Sequence, residues 1–293
     1  MLDNIDALLA LYEHGTMSKA AVVLHVTQSA ISKRIENLEY TLKKTLIERH
    51  GRRVRLTPAA IRFVERARPL LAEIKSAALD ENSMSSGKIV IDLSVSVLLS
   101  WGAQALGVIA KKHKLELEIH TNHASIAVER VRSGETNLAL AQGQSEIAPD
   151  LIALPVSEEP LVIVPSGLQT FRLPKSGTLS LLCIEHHTQA WRWTKRGLDA
   201  LRQKASAKFN VKIEVQQELE GFSAICELAR AGFGHGLVPL GITKALGIKP
   251  SSIVHFPKPG VSIPISLFGR KSTIARKEIE ELYTALKTYS AKL

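Results

Sequence analysis

Between Ser18 and Leu38 the chain runs SKAAVVLHVTQSAISKRIENL, and no other stretch limits the possible folds so strongly. Two short helical patterns meet there at Leu24-His25-Val26. The first opens on Ser18, an N-cap type, and carries Ala20 and Ala21, small enough for another helix to approach closely. The second opens on Thr27, also a good cap, and places Ile31, Ile35 and Leu38 at i, i+4 and i+7, one apolar stripe. Gln28, Ser29, Ser32, Lys33 and Glu36 occupy the opposite face. A helix pair of this kind is a helix-turn-helix, whose second helix enters the major groove with its N-terminal residues at base edges. The spacing therefore predicts Thr27, Gln28, Ser29, Ser32 and Lys33 at bases or nearby phosphates, with Arg34 on the DNA backbone.

Charge agrees with a double-stranded DNA partner. From Ser18 to Arg68 there are 12 Lys/Arg against 4 Asp/Glu, within a chain of formal net charge +10. Cations of this density supply sequence-independent, salt-sensitive affinity for phosphates. After Lys44 the run LIERHGRRVRLT holds two short apolar-anchored segments around Gly51, the pattern of a β-hairpin wing. Arg49, Arg52 and Arg53 at its tip are placed to reach phosphate or a minor groove. Thr57-Pro58 then opens a long helix, with Thr as N-cap and Pro at the first helical position. Ala60, Val64, Ala67, Leu71, Ile74 and Ala78 repeat along it at alternating spacings of four and three, a heptad seam that needs a partner. Pairing through Val64, Ala67, Leu71, Ile74 and Ala78 predicts a dimer with two reading heads. Pro69, inside this helix, predicts a kink or break.

The segments AAVVLHVTQSAISKRIENLE, LIERHGRRVRLTPAA and the long helix together resemble the LysR-type transcriptional regulators, and LARAGFGHGLVP resembles a turn late in that family's effector domain. Ile47, where the family often has an aromatic residue, and Trp101-Gly102-Ala103, where many relatives start a helix differently, are departures. The resemblance implies an N-terminal winged helix-turn-helix (1–57), a linker and dimerisation helix (58–87), and a periplasmic-binding-protein-like α/β effector domain. Its subdomain I would comprise 88–162 and 264–293, and its subdomain II 163–263, joined by two crossover strands. It also implies a homodimer or homotetramer, a small-molecule effector, contact with RNA polymerase and no cofactor.

The pattern beyond the polar stretch 80–87 alternates strands with helices, an α/β arrangement rich in parallel strands. Strands are predicted at 88–93, 115–120, 137–141 and 161–164, then at 179–184, 211–215, 236–238 and 264–268. Helices are predicted at 97–112, 124–133, 190–203, 223–231 and 273–289. Ligands in open α/β sheets bind beyond the carboxyl ends of strands. The candidate effector residues are accordingly Ser94, Ser96, Val97, Asn122, His123, Gln142, His186, His187, Thr188, Phe222 and His235. Ser96 also starts a helix, whose free N–H groups favour an anion. Residues 88–293 carry 25 Lys/Arg against 18 Asp/Glu, which points the same way.

Other chemistries find little support. Cys183 and Cys226 lack metal-ligand spacing and read as reduced core residues. Adjacent His186 and His187 point apart and have no third ligand fixed in sequence, so no metal is expected. Gly232, Gly234 and Gly236 follow a helix and precede a strand, the reverse of the dinucleotide-binding order. There is no G-x-S-x-G and no H-E-x-x-H, so no enzyme is expected. No leader pattern opens the chain and no apolar run reaches the roughly 18 residues of a membrane span, which places the protein in the cytoplasm. Two alternatives stay open: an architectural or replication-inhibiting DNA binder without an effector, and a DNA reader fused to a catalytic small-molecule domain.

Overall fold

Burial of one helix stripe organises the N-terminal part of the computed structural model, which describes residues 1–50, 53–86, 88–143, 151–171, 176–208, 210–256 and 260–292. Ile31, Ile35 and Leu38 are all fully buried. They lie on α3 (Gln28–Leu42), which packs against α1 (Leu2–His14) and α2 (Met17–Val23). Thr27 caps α3 as its sequence predicts, its hydroxyl accepting from the Ala30 N–H at 3.2 Å. The cap of α2 is Thr16 rather than Ser18: Thr16 accepts from the Lys19 N–H, and the helix begins at Met17. Ser18 is thus freed, and its hydroxyl donates to Gln28 Oε1 at 3.0 Å. The turn is made without glycine, by His25 in the left-handed region at φ 52°.

The wing pairs β1 (Ile47–His50) with β2 (Arg53–Leu56), antiparallel. A contact not foreseen from sequence ties it to α3: Glu39 accepts from the N–H groups of Leu46 (2.6 Å) and Ile47 (3.1 Å). Thr57 then caps α4 (Pro58–Ser86), accepting from the Ala60 N–H at 3.1 Å. α4 continues through Pro69, so of the kink or break expected there the break does not occur; proline withholds one N–H but does not end the element. Ion pairs Arg68–Glu13 and Lys75–Asp6 bind α4 to α1.

Contacts divide the chain into two compact units, one on residues 1–78 and 133–135, the other on 79–132 and 136–293. The second unit begins β3 (Lys88–Ser94), a single turn α5 (Val95–Val97), a π-helical turn at Leu98–Gly102, α6 (Ala103–His113), β4 (Glu116–Asn122), α7 (Ala124–Ser133) and β5 (Leu138–Gln142). β6 (Leu151–Val164) follows, then β7 (Ser176–Ile184), α8 (Trp191–Lys208), β8 (Asn210–Leu219), α9 (Phe222–Arg230), β9 (His235–Pro239) and α10 (Leu240–Ala245). β10 (Val254–His255), β11 (Ser262–Arg270), α11 (Lys271–Ile274) and α12 (Lys277–Ser290) complete it.

The strand order is β4-β3-β5-β11-β6-β9-β7-β8, with β10 beside β6. β3 pairs parallel with β4 and β5, and β7 parallel with β8 and β9. Between these two parallel groups β6 and β11 run antiparallel to each other, so the sheet is parallel within each group, as its strand–helix alternation led one to expect, and mixed where the two crossover strands pass. β6 is also ten residues longer at its start than the strand predicted at 161–164, because Pro155 and Pro160 interrupt its hydrophobic run without interrupting its pairing. One core gathers Ile91, Leu93, Leu106, Leu140, Leu267 and Leu282; a second gathers Val162, Leu181, Leu198, Phe222, Ile225 and Val238. β6 and β11 contribute to both, so they are the mechanical link between the cores.

Candidate functional site

The first site is the outward face of α3. Thr27, Gln28, Ser29 and Lys33 are exposed and Ser32 is half-buried at its edge. The Thr27 and Ser29 hydroxyls lie 2.9 Å apart, and Ser32 donates to Glu36 at 3.3 Å. Lys33 makes only a long, solvent-exposed pair with Glu36 at 3.6 Å, worth little and easily exchanged for a phosphate. Arg34 is turned inward towards Asp3 of α1 at 3.6 Å, which takes it away from the free face. Arg49 and Arg53 belong to the paired wing strands, where Arg49 faces Val54 and Arg53 faces His50 across the ladder; Arg52 lies outside the described residues. Tyr40, 87% exposed on α3, was not singled out by the sequence pattern.

The α4 seam divides. Ala60 and Val64 are buried in their own domain against Leu8, Leu38 and Leu46, so Val64 is spent on the helix-turn-helix core. Ala67 and Leu71 are also buried, whereas Ile74 is 51% exposed and Ala78 is exposed. A groove of about 680 Å³ runs beside them, lined by Met1, Leu2, Ile5, Phe63, Leu70 and Ile74 among others.

The second site is a cleft of about 510 Å³ between the two cores. Ser94, Ser96, His123, Gln142, His187, Thr188 and Phe222 all line it, gathered from the carboxyl ends of β3, β4, β5, β7 and β8. Sequence reasoning missed Leu99, Ser125, Ile126, Gln189, Ser223 and Ile242, which line it too. Leu99 enters because the π-helical turn projects it, and a π turn has no sequence signature. The first turns of α7 and α9 both face the cleft, and α9 has no side-chain cap, so its leading amides remain available. None of the described lining residues is Lys or Arg. His123 Nε2 and Glu220 Oε1 lie 3.1 Å apart, one from the β4–α7 junction and the other from the β8–α9 junction, spanning the cleft.

Four expected residues fall elsewhere. Val97 is fully buried in the first core, because α5 turns it inward. Asn122 donates to Asp92 at 2.8 Å, part of a buried cluster with Arg130. His186 binds Glu218 through its ring (2.7 Å) and its backbone N–H (3.2 Å), and these bonds hold the Glu218 carboxyl below its usual range. His235 sits at the amino end of β9, where its Nδ1 accepts from the Ser166 N–H at 3.1 Å and its ring packs edge-on against Phe171. Burial lowers its pKa. Among the described residues no three His, Cys, Asp or Glu groups are arranged to hold a metal.

Behind the cleft floor lies a buried carboxyl with no counterpart in the sequence reading. Glu159 of β6 is 6% exposed, and its Oε1 accepts from the Gly241 N–H at 2.8 Å. A Cβ on Gly241 would collide with that oxygen and with Ser100, so only glycine admits the contact. Oε2 has no hydrogen-bond partner among the described atoms. Burial pushes the pKa to about 7, against the opposing pull of Gly241, Ser100, Lys244 and Gln142. The carboxyl thus touches the π turn on the first-core side and α10 on the second, from the strand that links them.

A helix-turn-helix unit followed by a two-core α/β domain with a polar cleft defines a DNA-binding regulator with a ligand-binding domain. Residues 2–61 match the bacterial regulatory helix-turn-helix proteins of the lysR family, and residues 82–291 match the LysR substrate binding domain. The chain belongs to the LysR family. A Vibrio cholerae protein described as an uncharacterized HTH-type transcriptional regulator is 28% identical over 289 residues, covering 98% of this chain and 95% of its own. Among solved structures, ArgP from Mycobacterium tuberculosis is similar at a TM-score of 0.58 and 22% identity, covering 99% of this chain and 97% of its own. Vibrio fischeri DarR, solved in complex with DNA, is similar at 0.54 and 18%, covering 98% of each chain. No helix among the described residues is long and apolar enough to cross a membrane.

Proposed function

We propose that this regulator reads double-stranded DNA with Thr27, Gln28, Ser29, Ser32 and Lys33, and that a small molecule held between the two cores controls the reading. The observation behind the DNA half is the division of α3: three fully buried apolar residues behind, and an exposed hydrogen-bonding face around its capped N-terminus. Arg49 and Arg53 of the wing strands, together with Arg52, add phosphate contacts. A second copy covers Ile74, Ala78 and the apolar groove beside α4, giving the paired heads a two-fold operator needs. DNA reading places the protein in the cytoplasm, and the regulator reading assigns the cleft no reaction.

Hydroxyls and helix amides lining the cleft together with Leu99, Ile126, Phe222 and Ile242 suit a small molecule with a singly anionic head and an apolar body. The absence of lining cations among the described residues leaves amides to hold that head. Such a ligand acts only by binding one arrangement of the cores better than another.

Electrophoretic mobility shift of Lys33→Ala and Ser32→Ala on a selected operator tests the DNA half. Both weaken specific binding with oligomeric state unchanged, and Lys33→Ala lowers the log–log salt slope by about 1. Dissociation into monomers would sink the assignment of this face. A thermal-shift screen of the full chain against amino acids, aromatic acids and small carboxylates tests the cleft, because a native-state ligand stabilises by mass action. A stabilising carboxylate whose effect vanishes in Ser96→Ala and Phe222→Ala supports the reading; one unaffected by either refutes it.

A further inference from the structure

A second cavity, of about 530 Å³, opens over the crossover strands and shares no lining residue with the effector cleft. Its floor is formed by β6 and β11 around Ser157 and Ser262. α8 adds Trp193 and Arg196, and α12 adds Lys287. The volume is in the range of small-molecule sites.

Both cations are held in place by aromatic rings. The Arg196 guanidinium carbon lies 4.5 Å from the Trp193 ring centre, and Lys287 Nζ lies 5.6 Å from that of Tyr283. Tyr283 is itself pinned, its hydroxyl donating to the Pro155 carbonyl at 2.9 Å. A ring on the face of a guanidinium occupies none of the N–H donors in its plane, so Arg196 keeps its bidentate edge. Neither Arg196 nor Lys287 has a carboxylate partner among the described residues. Glu158, the acidic residue lining the cavity, accepts from Ser262 Oγ at 2.6 Å. Arg196 stands on a helix packed into the second core, and Lys287 on one packed into the first. Two like charges facing one cavity from opposite cores repel each other, and a doubly charged anion between them offsets that repulsion.

We propose that this cavity binds a small phosphate-bearing anion, with Arg196 gripping two oxygens and Lys287 a third. Because its two cations belong to different cores, occupancy favours the arrangement that brings α8 and α12 nearest, and so acts on the same hinge as the effector cleft. The site stands on its own geometry and does not require the effector reading above.

The test is thermal unfolding of the full chain, followed by tryptophan fluorescence, in inorganic phosphate or glucose 6-phosphate against chloride at matched ionic strength. Wild type shows a saturable rise of about 3 °C at ten times the dissociation constant. Arg196→Gln and Lys287→Gln each shift the midpoint at least about tenfold. Arg192→Gln, which also sits by Trp193 but does not line the cavity, keeps the wild-type response. Response to both ligands indicates recognition of phosphate itself, and response to the sugar phosphate alone indicates that the body is read as well. No rise in wild type, or an equal unsaturable rise in all four proteins from bulk anion exclusion, overturns the site.

Discussion

Replacing Glu159 by glutamine isolates the proton held behind the cleft. The carboxyl is buried and its pKa is raised from an ordinary 4.5 to about 7. The native state therefore binds the proton more tightly than the unfolded chain does. Stability from this group is present at low pH, falls as pH rises from about 4.5 to about 7, and levels off above. The full displacement corresponds to about 3 kcal/mol, of which about 2.5 kcal/mol is traversed between about pH 5 and about pH 8. Glutamine keeps an oxygen for the Gly241 N–H and cannot ionise, so the variant loses that slope. The assay is urea unfolding at a series of pH values, read by tryptophan fluorescence. All three tryptophans, Trp101, Trp191 and Trp193, lie in the second unit, which is the one being perturbed. Other titrating groups are common to both proteins and cancel in the difference. Glu159→Gln gains on wild type by about 2.5 kcal/mol across the range. A difference that stays flat to within about 0.5 kcal/mol would refute the account of the buried carboxyl.

Further consequences follow from individual contacts. Glu39→Ala leaves the Leu46 and Ile47 amides without their carboxylate and lowers the helix-turn-helix stability by about 1–3 kcal/mol; an unchanged circular-dichroism melt of that unit contradicts the tie. Ile35→Ala empties a fully buried site and costs about 2–5 kcal/mol by chemical denaturation. Lys114, in the left-handed region at φ 55° at the end of α6, gives about 0.5–1 kcal/mol of added stability when changed to glycine, provided no contact is lost. Burial pushes the Cys183 and Cys226 thiols up to about 12, so both resist iodoacetamide in the folded chain and react once urea is added; prompt labelling of native protein would contradict their burial.

Features that depend on neighbours a few residues apart were legible in the chain. The i, i+4, i+7 stripe, the Thr27 and Thr57 caps, the paired strands of the wing and most strand and helix positions each express a local preference or a periodicity. Hydrophobic burial acts on them as their sequence arranges them. Even here competition mattered: Thr16 outbid Ser18 as a cap because the turn after α1 places its hydroxyl over the first amides of α2. The cleft was half legible. Strand ends named seven of its residues, but Asn122 was drawn off by Asp92, His186 by Glu218 and His235 by Ser166, each a partner 30 or more residues away.

The buried Glu159 carboxyl and the paired cations lay beyond any such reading. Glu159 stands in a polar Ser-Glu-Glu run between two apolar stretches of its strand, and nothing adjacent marks it as buried. Its environment is made by Gly241, 82 positions later, and by the π turn at Ser100. Arg196 and Lys287 face one cavity only because β6 and β11 bring two cores together. Local patterning specifies elements and the faces they bury, since those energies are set by nearby residues. Which polar groups are stranded, paired or opposed is set by desolvation and charge across the packed chain, and that became definite only when the strands crossed.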